Sequence, residues 1–291
     1  MHALGVATVE DAERLVQAST LSHIKIGLSD VDGVMLGKYV RRDKFLAALR
    51  GGLAFCDVVF GWDLDDQLYD NTKYTGWHTA YPDAKLRIVP STCRRLPLEQ
   101  GPGGEDMLLF LAEFEGPAAD ICPRRLLHRT LDRAAGMGFE VYAALEYEFF
   151  MFRETPHSVR AKHYRDMENW TPGNFGYSVL RSTVQGDFYR KLLDMCERMD
   201  MPIEGLHTET GPGVLEAAIA VDQAAAAGAQ TADAAQQAAN TAATAADAAT
   251  DAAANTAAAA TDAAAGEAKD AAKAAEATAE QAKDAAEEAK K

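Results

Sequence analysis

The sequence predicts an α+β head over residues 1–222 followed by an alanine-rich tail, and three observations lead there. Segments of period-two apolar alternation mix with helix-patterned segments, without a strict strand–helix–strand rhythm. No glycine-rich phosphate loop opens a helix. After Asp222 the composition changes: from Gln223 to Lys291 there is no Leu, Ile, Val, Met, Phe, Trp or Tyr, so that stretch cannot bury a core.

The elements follow in order. Residues 8–19 pattern as an amphipathic helix. His23–Ser29 places Ile24, Ile26 and Leu28 on one face and His23, Lys25 and Ser29 on the other, a half-buried strand of an antiparallel or mixed sheet. A turn at Asp32-Gly33 leads to a second strand near Val34–Val40, and Lys44–Leu49 is helical up to Gly51-Gly52. Residues 61–83, rich in Asp, Gly, Tyr and Trp, suit an irregular loop with polar work to do. Leu108–Phe114 is a strand, and Pro123–Met137 is a helix opened by proline and closed by Gly136 and Gly138. Phe139–Phe152 alternates as a strand, and Val184–Met199 is a helix. The tail from 223 to 291 alternates Ala with small polar residues and then with Glu and Lys, which suits a solvated helix or disorder.

The bulk chemistry excludes several functions. A net charge of −15 argues against nucleic-acid binding, which needs basic surface to displace counterions. ATP remains admissible, provided metal ions bridge its phosphates. The four cysteines are widely spaced with no C-x-x-C pair, which favours reduced thiols over a disulfide or zinc framework. The first residues lack a basic start and an apolar run, and no stretch approaches the ~18 apolar residues of a membrane span. A soluble, cytoplasmic protein without membrane or nucleic-acid partners is expected.

Two segments carry chemistry. In a strand, residues two apart face the same way, so Glu146 and Glu148 share a face with Phe150 and Phe152, while Leu145, Tyr147, Phe149 and Met151 take the other. Carboxylates running into phenylalanines suggest a strand buried on both faces whose acidic start opens into a cavity. Two carboxylates so close repel unless a cation compensates them, although one such pair also suits an exposed strand end. The second segment, His207–Glu216, sets His207, Glu209 and Glu216 around Gly211-Pro212-Gly213, a turn that brings the flanking carboxylates together. Oxygen donors of this kind select Mg²⁺ or Mn²⁺. His207 reads equally as a ligand or as a structural neighbour of the metal glutamates.

E-x-E-F-F-x-F at 146–152, followed some sixty residues later by E-x-G-P-G-x-x-E at 209–216, resembles the glutamine synthetase family. Asp32-Gly33-x-x-x-Gly37-Lys38 resembles that family's N-terminal β-grasp domain, Gly76-Trp77 with Tyr81-Pro82-Asp83 its following loop, and Cys122-Pro123-Arg124 the start of its first catalytic helix. The resemblance implies a β-grasp domain over 1–110 and the first part of an antiparallel-sheet catalytic domain over 111–222. It implies that Glu148, Glu209 and Glu216 hold the metal near glutamate, that Glu146 serves a second metal bridging ATP phosphates, and that Asp63 and Tyr177 help bind and deprotonate the amine. Val214 stands where the family's G-P-G-Q has glutamine, which points to a branch using an amine other than ammonia, such as a polyamine.

The implied reaction joins ammonia or an amine to the γ-carboxylate of glutamate through an acyl phosphate, in a ring of identical subunits. The resemblance ends near Asp222, and the family's later histidine, glycine-rich segment, arginines and last carboxylate have no counterpart beyond it. An impaired ligase is therefore expected, with a catalytically inactive assembly or binding module as the alternative. Asp30-Val-Asp32-Gly-Val also fits the nucleophile motif of haloacid-dehalogenase-type phosphatases. That chemistry needs a strand buried in a parallel sheet, and the alternation of His23–Ser29 argues against it.

Overall fold

Thr8 starts the first helix, α1 (Val9–Ala18), by a reciprocal cap: its hydroxyl accepts from the Asp11 amide at 3.2 Å, and the Asp11 carboxylate accepts from the Thr8 amide at 2.9 Å. This computed structural model describes residues 4–224. Strand β1 (His23–Ser29) follows, with Ile24, Ile26 and Leu28 buried as its alternation requires. Asp30 closes the turn into β2 (Met35–Arg41), its Oδ1 accepting from the amides of Asp32 at 3.0 Å and Val34 at 2.8 Å. Helix α2 (Arg42–Gly51), β3 (Leu53–Cys56), β4 (Asp83–Gln100) and β5 (Asp106–Phe114) complete the first layer.

Five strands form one mixed sheet in the order β2-β1-β5-β4-β3, with β1 parallel to β5 and every other pair antiparallel. Its core is apolar: Phe45 meets Phe110 at 4.8 Å between ring centroids, and Phe60 meets Phe114 at 4.7 Å. The long strand β4 was not expected from the sequence. Pro90 and Pro97 interrupt its pattern, and the ladder to β5 absorbs them through irregularities between Val89 and Arg94 and between Leu96 and Gln100. The division anticipated at residue 110 lies inside β5.

Beyond β5 come α3 (Pro123–Gly136), β6 (Tyr142–Ala143), β7 (Glu146–Phe150), α4 (Pro156–Ala161), α5 (Val179–Val184), α6 (Gly186–Arg198), β8 (Ile203–Thr208), β9 (Val214–Ile219) and β10 (Asp222–Gln223). Strands β7, β9 and β8 make an antiparallel sheet in that order, and β10 pairs with β6. The strand expected over Phe139–Phe152 is thus two short strands, and the helix expected over Val184–Met199 begins at Gly186, after a separate α5.

Among the described residues, 153–168 form a compact unit of their own, and the rest form another. In the small unit Glu154 accepts from Lys162 Nζ at 2.6 Å, Ser158 Oγ at 2.6 Å and the Glu168 amide at 2.8 Å. These bonds, the lysine's first, hold its carboxyl down to about 2. None of the four cysteines is in a disulfide among the described residues. No described helix is long and apolar enough to cross a membrane. The helical or disordered tail expected from 223 lies outside the described residues after Ala224.

Candidate functional site

The site is built on one face of the β7-β9-β8 sheet. Residues directly opposite in an antiparallel ladder share a face, and the register sets Glu148 opposite Glu216 and Glu216 opposite His207. Glu146 lies two residues along the same face, opposite Ala218, and Phe150 lies opposite Val214. The opposite face carries Tyr147, Ala217 and Leu206, and Phe149 and Leu206 pack against the core.

The expectation that this strand is buried on both faces is not met. Phe150 is 60% exposed, and Glu146 and Glu148 are exposed with it. The reason is that only the face of β7 that carries Phe149 packs against the core.

The turn after β8 brings in the remaining groups. Glu209 donates its amide to the Val214 carbonyl at 3.1 Å, closing the segment across Gly211-Pro212-Gly213, where Gly213 adopts φ +76°. A Cβ on Gly213 would stand 2.6 Å from the Met151 carbonyl oxygen, so the turn needs glycine to lie against β7. Val214, in the place of the family's glutamine, is buried beneath this turn and offers the site no polar group.

Tyr177 reaches the same face from a loop. Its amide donates to the Thr208 carbonyl at 2.7 Å, and its ring stacks on His207 with centroids 4.6 Å apart. It sits at φ +58°, a conformation unusual for an aromatic residue. The Ser178 amide, donating to Thr208 Oγ1 at 3.1 Å, helps fix it there.

The electrostatics follow from these neighbours. A hydrogen bond to Glu209 and that carboxylate's charge, then desolvation and the charges of Glu216 and Glu146, push the Tyr177 hydroxyl above its ordinary value. Thr210 and Tyr177 donate to Glu209 and hold its carboxyl below the usual range. The Thr210 hydroxyl lies 2.6 Å from Glu209 Oε2. His207 Nε2 stands 3.5 Å from Glu216 Oε1, and its Nδ1 is 3.3 Å from the Thr208 carbonyl oxygen.

The backbone therefore aligns Glu148, Glu216 and His207 and sets Glu209 and Tyr177 beside them. The side chains themselves do not gather: among the described residues no three His, Cys, Asp or Glu groups come close enough to hold a metal ion. Opposed carboxylates repel, so each takes the polar partner within reach, Thr210 and Tyr177 for Glu209 and His207 for Glu216. The donor set, three to four carboxylate groups and one imidazole on register-aligned positions, still has the chemistry that suits a hard divalent cation.

Asp63 stands on a separate loop. Its Oδ1 accepts from the Asp65 amide at 2.9 Å and the Gln67 amide at 3.0 Å, closing its own loop. Its charge is felt by Tyr69 together with those of Asp32 and Asp30. Asp30 itself is buried and spent on the turn after β1, a strand with one antiparallel and one parallel neighbour, so it is not presented as a phosphatase nucleophile. Sequence reasoning missed Thr208 and Thr210, whose hydroxyls organise the site; their place two residues apart astride Glu209 was the available signal.

Sheet, turn and carboxylates together define an acidic oxygen-donor site on an α+β scaffold of mixed and antiparallel sheets. The chain belongs to the glutamine synthetase family: the family description "Glutamine synthetase, catalytic domain" matches residues 120–267, a span that runs past Asp222. It is 40% identical over 207 residues to Type-1 glutamine synthetase 2 of Dictyostelium discoideum, covering 70% of this chain and 39% of that protein. It is 29% identical over 210 residues to the glutamate–isopropylamine ligase of a Pseudomonas species, covering 72% of this chain and 45% of that one. The solved structure described as a GmaS/ADP complex shares the fold, with a TM-score of 0.63 at 16% identity, over 80% of this chain and 49% of that one. The chain spans less than half the length of these proteins.

Proposed function

We propose that this chain serves the ATP-dependent ligation of ammonia or an amine to the γ-carboxylate of glutamate. The observation that carries the reading is the line Glu148, Glu216 and His207 across three strands, with Glu209 turned toward it by the glycine turn. Glu148, Glu209 and Glu216 would hold one Mg²⁺ or Mn²⁺, Glu146 would serve a second, and His207 would flank Glu216. Bound there, the cations would neutralise phosphate charge.

The reaction proceeds in two displacements. A glutamate carboxylate oxygen bonds to the γ-phosphorus as the bond to ADP breaks. The cationic amine gives one proton to a carboxylate, its nitrogen then bonds to the acyl carbon as phosphate leaves, and the second proton goes to the departing phosphate. Tyr177, its hydroxyl donating to Glu209, orients that carboxylate toward the amine, and Asp63 from its separate loop would attract the cationic amine. Val214, with no amide to offer, is compatible with an alkylamine in place of ammonia. The chain would divide into a β-grasp-like domain up to about residue 110 and a partial catalytic domain to 222, and would work in the cytoplasm as a homo-oligomer.

A second reading is favoured by three exposed apolar side chains. Phe150 at 60%, Phe139 at 62% and Leu126 at 56% exposure suit burial against another polypeptide, which fits an assembly module without turnover. The test is ADP release with Mg²⁺, ATP, glutamate and a panel of amines, beside Glu148→Ala. Glutamate- and amine-dependent release abolished by the substitution supports the ligase; release that ignores both co-substrates refutes it. A folded, silent chain that sediments as a ring or with other subunits supports the module.

A further inference from the structure

A second polar centre lies in the first sheet and is not used by the reaction. Glu113, the penultimate residue of β5, has a fully buried carboxylate. Its Oε1 accepts from Arg124 Nε at 3.3 Å and lies 3.0 Å from His128 Nε2; its Oε2 accepts from Arg87 Nη2 at 2.9 Å and lies 3.6 Å from Arg125 Nη1. Burial alone would raise the Glu113 carboxyl, yet Arg124, His128 and Arg87 outweigh it and hold the carboxyl low, so it stays charged.

Beside the arginines opens a pocket of about 350 Å³ lined by Arg87, Phe114, Glu115, Gly116, Ala119 and Arg125. Glu115 is already paired with Lys85 at 2.9 Å. The pocket lining itself carries two guanidinium groups, Arg87 and Arg125, against the one carboxylate of Glu115.

The donors are positioned as well as charged. Arg125 makes no ion pair among the described residues other than the 3.6 Å approach to Glu113, which is too long for a hydrogen bond. Its guanidinium N–H groups are therefore left for a ligand. Arg129 donates to the carbonyls of Ala119 at 2.8 Å and Asp120 at 3.0 Å and fixes the turn that floors the pocket. Gly116 adopts φ +64° there, with open space where a Cβ would be.

We propose that this pocket binds a doubly charged oxyanion of phosphate type, inorganic phosphate or a small phosphate monoester, between the guanidinium groups of Arg87 and Arg125. Planar guanidinium forks match the oxygens of a phosphate, and two of them complement a dianion in charge. The volume is at the small end of the ~300–1,000 Å³ of ligand pockets, which admits a phosphate with a short substituent.

The test is calorimetric titration of the full chain with inorganic phosphate and with phenyl phosphate, at low ionic strength and with EDTA, which removes metal-bridged binding at the carboxylate face. Parent protein should bind, and Arg125→Gln and Arg87→Gln should each bind at least tenfold more weakly with unchanged circular dichroism. Tighter binding of phenyl phosphate would identify the source as a phosphorylated small molecule, and equal or weaker binding as free phosphate. No binding by the parent, or undiminished binding by both variants, would overturn the proposal. Should either variant unfold, phosphate-induced amide shifts of Gly116 and Ala119 in the parent decide the same question, present if the site exists and absent if not.

Discussion

Removing the Glu113 carboxylate should cost far more stability than removing any one of its exposed partners. In Glu113→Ala the guanidinium of Arg124, only 9% exposed in its side chain, loses a buried carboxylate partner, whereas Arg87 at 48% can rehydrate. Breaking a buried pair from one side costs about 3–5 kcal/mol, and with two of the three arginines reaching water the lower end applies, about 3 kcal/mol. Arg87→Ala should cost about 1 kcal/mol or less, in the range of partly exposed pairs. For a domain of this size 3 kcal/mol lowers the melting temperature by roughly 6–12 °C. Urea unfolding followed by tryptophan fluorescence reads both variants. The pH dependence supplies a second check with a fixed sign. The folded carboxyl titrates below its unfolded value of about 4.3, so its stabilisation is complete above that pH and is lost as pH falls through the depressed folded value. The gap between parent and Glu113→Ala should therefore hold steady from neutral pH down to about 4.3 and close below it. A Glu113→Ala protein within about 1 kcal/mol of the parent, or no more damaged than Arg87→Ala, would refute the reasoning.

Two further outcomes are expected. Mn²⁺ binding measured by electron paramagnetic resonance should weaken about a hundredfold in Glu148→Ala and in Glu216→Ala, and parent-like binding in both would remove the sheet face as the metal site. Gly37→Ala should destabilise by about 3 kcal/mol, because its Cβ would fall 2.1 Å from the Ile26 carbonyl oxygen and force β1 and β2 apart, while Gly33→Ala, with open space but φ +84°, should cost only about 1 kcal/mol by the same urea assay.

Much of the local structure was legible in the chain because its causes are local. Thr8 and Asp11 announce a helix start, the alternation of His23–Ser29 announces a half-buried strand, and Pro123 opens α3. Glu146, Glu148, Glu209 and Glu216 were legible as an oxygen-donor set from residue type and spacing, and period two put the first pair on one face. What the alternation could not say is which face meets solvent. Both faces of β7 carry large apolar groups, and only the packing of the Phe149 face on the core leaves Phe150 exposed.

Strand β4 escaped notice because two prolines and a run of charged residues hide its period, while its pairing with β3 and β5 is a long-range fact. That Asp63 Oδ1 accepts from the amides of its own loop is likewise revealed only by backbone geometry. The sequence by itself determined the family and the glycine turn, since each rests on residue types within a few positions of one another. Only the tertiary structure decided that Glu148, Glu216 and His207 stand in line, and that Arg87, Glu113, Arg124 and Arg125 form one centre. Strand register and the packing of α3 on β5 bring together residues separated in the chain, and electrostatic interaction depends on distance in space alone.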